Sequence, residues 1–553
     1  MYHSPYPTPS VPSDVSVSQF LVSSNPDDVP PDQKILSDFD SQQQTLTIQE
    51  LRFNAARDAS TLISRFGLQE GDVVCIFAPN SISWVALAHA ILWAGGCFCG
   101  FNSMATAHEL THYFTVAQPS IIAVDDELLP KALEALKQLK LRTTPRLLVI
   151  DDESNALKQD DYPRFPLNFR SSKESLIQPF DLSKRDNREI PAGMCFSSGT
   201  SGKPKGVVFS HHNLIAYLLT LRATNPFTHN ASMREAFFPS FAHIYGIVSG
   251  VLLPAWVGNH VQPMRKFEYM PYLRRCSELK ATVLRLVPAA AVRMVKDTAI
   301  IDLDLSSVHT VMCSGAPLSD ATVKGLKRLL GPETNVLNGY GMSEATITLL
   351  RHTRNGQKGA SVGKPAAGVT VRVVDDDFND VPIGVEGECL VKGPTVFLEY
   401  KNNPTETAST FRDGWLCTGD VVKVDEDGFF WLTGRKKELI KYKGNQIAPA
   451  ELESILLSHP LVVDAGVCGV EWGGDNEEVP IGFVCLQPST ETAGYSKTLD
   501  EIRSYMEEHV APYKRLRGGL HCLKSLPKNN SGKLVRSELA AIARRIHQTR
   551  ARL

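Results

Sequence analysis

With 553 residues, 43% of them hydrophobic and 21% charged, the chain has the composition of a globular protein of more than one domain. A formal net charge of −2 leaves no basic footprint for nucleic acid. The 11 cysteines are scattered, Cys97 and Cys99 being the nearest pair, and no C-x-x-C spacing occurs; this argues against a zinc site or a disulfide framework and for a reducing compartment.

Residues 1–15 are rich in Ser and Pro, read as mobile, and lack the basic and apolar regions of a secretory signal. Residues 48–66 have the spacing of an amphipathic helix, 67–72 of a turn, 73–77 of a buried strand and 81–93 of a helix ended by Gly95-Gly96. Further strands are expected at 120–124 and 146–150, so the first part of the chain alternates strand and helix as a doubly wound α/β body does. The polar stretch 151–190 reads as a surface connection. The apolar stretches 84–96 and 244–258 contain His89 and Pro254 and fall short of the roughly 20 residues a spanning helix needs, so no integral membrane segment is expected.

The segment Ser197-Ser198-Gly199-Thr200-Ser201-Gly202-Lys203-Pro204-Lys205-Gly206 follows the mostly apolar 193–196 and precedes the apolar 207–209. A glycine- and hydroxyl-rich loop between two buried strands offers backbone N–H groups, hydroxyls and positive charge to one place, which suits a polyphosphate. The plainer alternative is a flexible surface loop. The spacing is neither that of a Walker A loop nor of the Gly-x-Gly-x-x-Gly dinucleotide fingerprint.

Four further stretches carry chemistry. In Asn338-Gly339-Tyr340-Gly341-Met342-Ser343-Glu344-Ala345-Thr346, Tyr340 offers a ring for a base and Glu344 a carboxylate for a Mg²⁺ that bridges phosphates; a capped helix start is the alternative. Asp420, ending Trp415-Leu416-Cys417-Thr418-Gly419-Asp420, suits ribose hydroxyls or an ordinary turn. The run 433–444, with Arg435, Lys437, Lys441, Lys443 and Gly444, is a solvated basic edge or a functional one. The run 527–534 places Lys533 after Ser531-Gly532. After about residue 370 the texture changes to short strands (371–374, 388–392, 429–432) with a turn at 425–428, a small β-rich subdomain. Beyond Lys437 helix and strand alternate again (451–459, 462–470, 481–486, 498–509), giving domains 1–436 and 437–553.

These five motifs, in this order, resemble those of the adenylate-forming superfamily of acyl- and aryl-CoA ligases, adenylation domains and luciferases, and most of all the 4-coumarate–CoA ligase-like group. The resemblance runs from about residue 30 to 540. It implies a large N-terminal α/β AMP-binding domain with a small β-rich subdomain, and a small mobile α+β C-terminal domain. It also implies ATP, Mg²⁺ and CoA as the reaction's small molecules. Ser197, Ser198, Gly199, Thr200, Ser201, Gly202, Lys205, Asn338, Gly339, Tyr340 and Ser343 are then expected to meet ATP, with Asp420 and Arg435 on the ribose and Glu344 on Mg²⁺. Lys533 would bridge carboxylate and α-phosphate. Lys441 would serve thioester formation, Lys437 the hinge, and Lys266, Lys443 and Gly444 CoA. His243 would gate the acyl pocket, with Tyr245, Ser249, Gly315, Ala316 and Thr346 lining it; the alternative for His243 and Tyr245 is ordinary packing on an apolar helix. Ser343 stands where Thr is common, Asn338 where plant coumarate ligases have Gln, and Thr346 where they have Gly; Thr346 narrows the pocket or makes it more polar and argues against coumarate itself.

The implied reaction forms acyl-AMP from a carboxylic acid (aryl, arylpropenoic or medium-chain) and ATP, and then acyl-CoA. A luciferase-like oxygenase or a free-standing adenylating enzyme shares these motifs, although no carrier-type L-G-G-x-S motif is present. The final Ala551-Arg552-Leu553 resembles a peroxisomal address read by an import receptor.

Overall fold

The computed structural model describes all residues except 42–43, 142, 151–161, 167–168, 170–174, 198–203, 301, 315–317, 352–357, 359–360, 437, 443–444, 472–477, 488–494, 529–533 and 551–553. Strands Val73–Phe77, Cys97–Phe101, Ile121–Asp125 and Arg146–Ile150 lie parallel in one eight-stranded sheet. They are buried on both faces, which is why they read as unbroken apolar runs rather than as alternation. Helices between them follow their caps. Thr47 and Glu50 form a reciprocal capping box at the start of Ile48–Ser64. The Ser81 hydroxyl accepts from Trp84 N at the start of Ile82–Trp93.

The same sheet continues through Pro191–Ser197 and Lys205–Ser210 to a two-residue edge strand, Glu399–Tyr400. A second, five-stranded sheet runs Val283–Leu286, Thr310–Ser314, Asn335–Met342, Thr346–Arg351, Lys364–Pro365. A third, of four strands, includes Arg234–Phe237. The β-rich part expected after residue 370 is an antiparallel sheet built on Thr370–Val374, Gly387–Lys392, Trp415–Val424 and Phe430–Arg435. A separate apolar cluster, from Ile440 to Ala543, fills the C-terminal unit around the hairpin Val462–Glu471 and Glu478–Leu486. Among the described residues no helix is long and apolar enough to cross a membrane.

Two expectations fail. The N-terminal residues are laid down as structure: Tyr2–His3 pairs with Val371 and Thr370, the Tyr2 ring meets Phe430 edge-on at 5.3 Å, and Asn187 donates to the carbonyls of Pro12 and Val15. The partners lie hundreds of residues downstream, so composition alone could not reveal them. The stretch 151–190 is also not all surface, for Arg164–Phe165 forms the far edge of the eight-stranded sheet and Phe165 and Phe169 are fully buried.

His89, on the buried helix Ile82–Trp93, sits with Nε2 3.0 Å from the Val251 carbonyl. That carbonyl belongs to a π-helical segment, Ile247–Leu252. Burial lowers the His89 pKa to about 4, and that of His260 likewise. Both rings are neutral in the fold, so between about pH 6.5 and 4 the unfolded chain binds more protons and stability falls as pH falls. His89 alone should cost on the order of 2 kcal/mol at pH 4 relative to pH 7. Apparent Tm followed across that range should drop for the wild type and drop less for His89→Asn.

Candidate active site

The phosphate-loop candidate is the turn of a hairpin. Ser197 and Lys205 are register partners at its base, while 198–203 lie outside the described residues. The pairing continues through Val207 opposite Cys195, so the loop springs from two well-anchored strands. Lys205 Nζ pairs with Glu406 and lies 4.7 Å from the centre of the Tyr400 ring. Tyr400 in turn faces Val207 across the sheet edge and donates its hydroxyl to Glu344 Oε1 at 2.8 Å. The Phe397 N–H donates to the Glu344 carbonyl at 2.8 Å. The short segment 397–406 thus clamps both the loop and the Glu344 carboxylate. Ser343 and Glu344 are buried.

Asn338 and Gly339 lie on the strand Asn335–Met342, opposite Cys313 and Ser314, while Gly315 and Ala316 lie outside the described residues. Tyr340 donates its hydroxyl to Asp420 Oδ2 at 2.6 Å, and Arg435 Nε is 2.8 Å from Asp420 Oδ1. Asp420 and Arg435 are themselves register partners in the antiparallel sheet. These donors orient the carboxylate plane. Burial and the Asp420 charge push the Tyr340 phenol well up, so it stays a donor.

The third group is the segment 241–249. Asn80 Oδ1 accepts from Phe241 N at 2.8 Å and its Nδ2 donates to the Pro239 carbonyl at 3.0 Å, fixing the entry to the helical turn Ile244–Gly246. A Cβ on Gly246 would lie 2.0 Å from the Ser240 carbonyl oxygen, so only glycine fits there. His243 caps the turn through Nδ1, which accepts from Tyr245 N at 3.2 Å. The turn packs against the strand that follows Thr346. Thr346 has φ 55°, an uncommon conformation for a β-branched residue, and its hydroxyl donates to the Thr395 carbonyl at 3.3 Å. The left-handed backbone is the physical reason glycine suits this position. Cys195 lies between Ser343 and Ile244, and burial pushes its thiol up, which removes it as a nucleophile.

Lys266 is exposed, next to Arg265, which pairs with Asp125 at 3.0 Å at the end of its strand. Lys441 is on the strand Ile440–Tyr442, opposite Gln446. Lys437, Lys443, Gly444, Lys533 and the last three residues lie outside the described residues. Lys528 and Leu534, on either side of Lys533, form an antiparallel bridge. Around Lys437, the Lys436 N–H donates to the Gly419 carbonyl and its Nζ reaches Asp376 and Glu388 at 2.7 and 3.1 Å; Glu438 pairs at 2.6 Å with Arg536 of the C-terminal unit.

Sequence reasoning missed Tyr400, Glu406, Arg285 and Glu235. Arg285 donates to the Tyr245 hydroxyl and pairs with Glu235, both charges being fully buried. A lone Arg in the apolar run 283–286, and a lone Glu in 235–237, were the available signals.

Residues 25–401 match the model of the AMP-binding enzyme family, and residues 451–533 match that of the AMP-binding enzyme C-terminal domain. The chain belongs to the AMP-binding enzyme family. Among relatives of this AMP-binding enzyme, "Peroxisomal OPC-8:0-CoA ligase 1" of Arabidopsis thaliana is 33% identical over 510 residues, covering 90% of this chain and 89% of its own length. "Probable 4-coumarate--CoA ligase 1" of Dictyostelium discoideum is 30% identical over 484 residues, covering 86% and 87%. In fold, the anthranilate CoA ligase AuaEII in complex with anthranoyl-AMP superposes with a TM-score of 0.85 at 24% identity, over 97% of this chain and 99% of its own. ATP-bound MatB from Rhodopseudomonas palustris gives 0.79 at 25% identity, over 95% and 98%.

The Asp420 knot yields a test. Asp420→Ala leaves a buried phenol and a guanidinium without their shared acceptor and should cost on the order of 2 kcal/mol, and Tyr340→Phe about 1 kcal/mol. The double variant should lose less than the sum, because both changes remove one bond. Additive losses in denaturant unfolding would show that the two groups do not interact.

Proposed function

We propose that one cleft of this AMP-forming acid–CoA ligase carries two half-reactions through the residues described above. The chain is an acid–thiol ligase: a carboxylic acid and ATP give acyl-AMP and pyrophosphate, and CoA then takes the acyl group with release of AMP. The observation that carries the assignment of roles is the Asp420 carboxylate, oriented by Tyr340 and Arg435, which would meet the ribose hydroxyls.

The hairpin loop from Ser197 to Lys205, with Ser343, would hold the phosphates, and the face of Tyr340 together with Asn338 and Gly339 the base. Glu344 fits Mg²⁺: it is a buried carboxylate oriented by Tyr400, and one carboxylate plus phosphate oxygens is a usual Mg²⁺ donor set. When bound, that ion neutralises phosphate charge. The substrate carboxylate attacks the α-phosphorus, and the P–O bond to pyrophosphate breaks. Lys533 positions the two reacting groups and offsets their repulsion, so rate comes from placement and charge rather than from a protein nucleophile. His243 closes the acyl pocket; Tyr245, Ser249, Gly315, Ala316 and Thr346 line it.

Rotation about Lys437 would then withdraw Lys533 and bring Lys441, Lys443 and Gly444 to the cleft, with Lys266 meeting the CoA nucleotide. The pivot is supported by its neighbours, since Lys436 is anchored on the large domain and Glu438 on the C-terminal unit. The thiol attacks the acyl carbon, the acyl–phosphate bond breaks, and AMP leaves. A peroxisomal location is supported by the name of the Arabidopsis relative together with Ala551-Arg552-Leu553.

Separating the half-reactions tests the scheme. Lys533→Ala should lower acyl-AMP formation by about 10²-fold or more, while still converting supplied acyl-AMP and CoA to thioester. Lys441→Ala should do the reverse, and equal loss of both halves in either variant would refute the rotation. For location, a fluorescent protein fused ahead of residue 1 should give puncta that colocalise with a peroxisomal marker and vanish when Leu553 is deleted. Diffuse fluorescence from the intact fusion would count against import.

A further inference from the structure

The helix Ala107–Ala117 has no part in the chemistry described so far, yet it touches both limbs of the hairpin formed by Pro191–Ser197 and Lys205–Ser210. On the exit limb, His112 Nε2 lies 2.7 Å from the carbonyl oxygen of Pro204. A carbonyl only accepts, so Nε2 carries the proton and donates. Pro204 is the first described residue after 198–203, and it precedes Lys205, the register partner of Ser197. On the entry limb, the Phe196 ring packs against Tyr113 with centres 4.5 Å apart and meets the His112 ring at 6.5 Å. Phe101, on the neighbouring strand Cys97–Phe101, closes the cluster at 5.6 Å from Phe196 and 5.4 Å from Tyr113.

The helix is itself firmly held. Thr106 and Glu109 form a reciprocal capping box at its start. At its other end the Val116 carbonyl, among the last that a helix leaves without an intrahelical donor, accepts from Asn402 Nδ2 at 3.0 Å. Asn402 belongs to the segment 397–406 that clamps Lys205 and Glu344, and its neighbour Lys401 donates its N–H to the Gly206 carbonyl at 2.8 Å. These parts converge on Gly206, where a Cβ would lie 2.9 Å from Met194 Sδ, 3.2 Å from Val116 and 3.3 Å from Lys401. From Lys205 onward the strand ladder fixes the exit limb. Pro204 lies one residue before that ladder and has no N–H to contribute, and there the bond from His112 fixes the chain.

We propose that His112 is a positioning residue for ATP: its hydrogen bond to Pro204 sets the exit of the loop 197–205, and with it Lys205, in the place where the β- and γ-phosphates are met. The inference rests on the reading above that this loop holds the phosphates. His112 acts through the loop rather than on the nucleotide. Its effect therefore falls on the outer phosphates, so ATP should feel its loss and AMP should not.

Two variants separate the hydrogen bond from the packing. His112→Phe keeps a ring against Phe196 and Tyr113 and removes the donor, whereas His112→Gln keeps a donor N–H and removes the ring. Binding of ATP with Mg²⁺, and of AMP, is measured by calorimetry on the full chain without acid or CoA. His112→Phe should raise the Kd of ATP about fivefold, the scale of one hydrogen bond, and leave the Kd of AMP at the wild-type value. His112→Gln should restore most of the lost ATP affinity. A role confined to packing would lower the thermal midpoint, weaken ATP and AMP alike, and be served better by Phe than by Gln. An unchanged Kd of ATP in His112→Phe, an equal loss for AMP, or no recovery in His112→Gln overturns the inference. The double variant Thr200→Val with Ser201→Ala, which removes two loop hydroxyls, tests the underlying reading separately. If it too leaves the Kd of ATP unchanged, the loop does not hold the phosphates and both readings fall; if it raises that Kd while His112→Phe does not, only the role of His112 falls.

Discussion

One carboxylate ties the molecule together. Asp420 receives a hydroxyl from Tyr340, on the five-stranded sheet, and a guanidinium from Arg435, its partner in the antiparallel sheet. The Tyr340 bond is not local: the two residues are 80 apart in sequence, and the contact joins two sheets that share no strand. The cost of burying this charge is offset by donors of the protein rather than by solvent. Tyr340 is followed within four residues by Glu344, whose carboxylate is in turn held by Tyr400 at the edge of the eight-stranded sheet. Asp420, Tyr340, Glu344 and Tyr400 are thus linked through one short strand to the edge of the eight-stranded sheet.

The site juxtaposes two opposed environments. Around Ser197–Lys205 and Asp420 the protein offers donors, charge and glycine-rich backbone, as a polyanion requires. Around 241–251 it offers close-packed hydrocarbon: Phe237, Phe241, Trp84 and Val251 are all essentially buried, and Gly246 and Gly250 let backbone and aromatic rings approach where any Cβ would collide. An acyl adenylate has just this division, an anionic nucleotide on one side and a mostly apolar tail on the other. The two environments meet at Thr346, whose strand packs against the helical turn Ile244–Gly246. Arg285 and Glu235 intrude into the dry side at a desolvation cost that hydrophobic side chains of similar volume would avoid.

Legibility in the sequence followed the range of the interactions. Apolar spacing located the helices expected over 48–66 and 81–93, and the caps at Thr47 and Ser81 that start them in the structure are settled within four residues. The doubly wound body was visible because two-sided burial makes parallel strands continuous apolar runs. The glycine-rich segment after Ser197 stood out because its composition is abnormal between two buried strands. By contrast, Tyr2–His3 joins a sheet through residues 370 and 371, Tyr400 reaches Glu344 from a two-residue edge strand, and Glu235 finds Arg285 across two strands. Such pairs have no period and no fixed spacing. The π-helical turn at Ile247–Leu252 was equally hidden, since the run reads as an ordinary apolar segment.

The same distinction bears on how the C-terminal unit can move. A hinge needs a residue free of both bodies, with firm attachment on each side; otherwise strain spreads into the sheets instead of being absorbed by two dihedral angles. Lys436 is attached three times to the large domain, through its N–H to the Gly419 carbonyl and its Nζ to Asp376 and Glu388. Glu438 is attached to Arg536, which also binds Glu453 and the Val467 carbonyl in the heart of the C-terminal core. The side-chain attachments change sides across one position, while the Glu438 and Leu439 N–H groups still donate to the Arg435 carbonyl at 2.9 and 3.0 Å. Moreover, Lys436 takes its backbone bond from Gly419, the neighbour of Asp420, and Arg435 takes its charge partner from Asp420 itself. The fixed end of the pivot is therefore built on the residue assigned to the ribose. In the proposed rotation about Lys437 the C-terminal side chains facing the cleft would be exchanged while Asp420, Tyr340 and Arg435, the residues proposed to meet the nucleotide, stay where they are, which is what a two-step reaction on one bound adenylate requires.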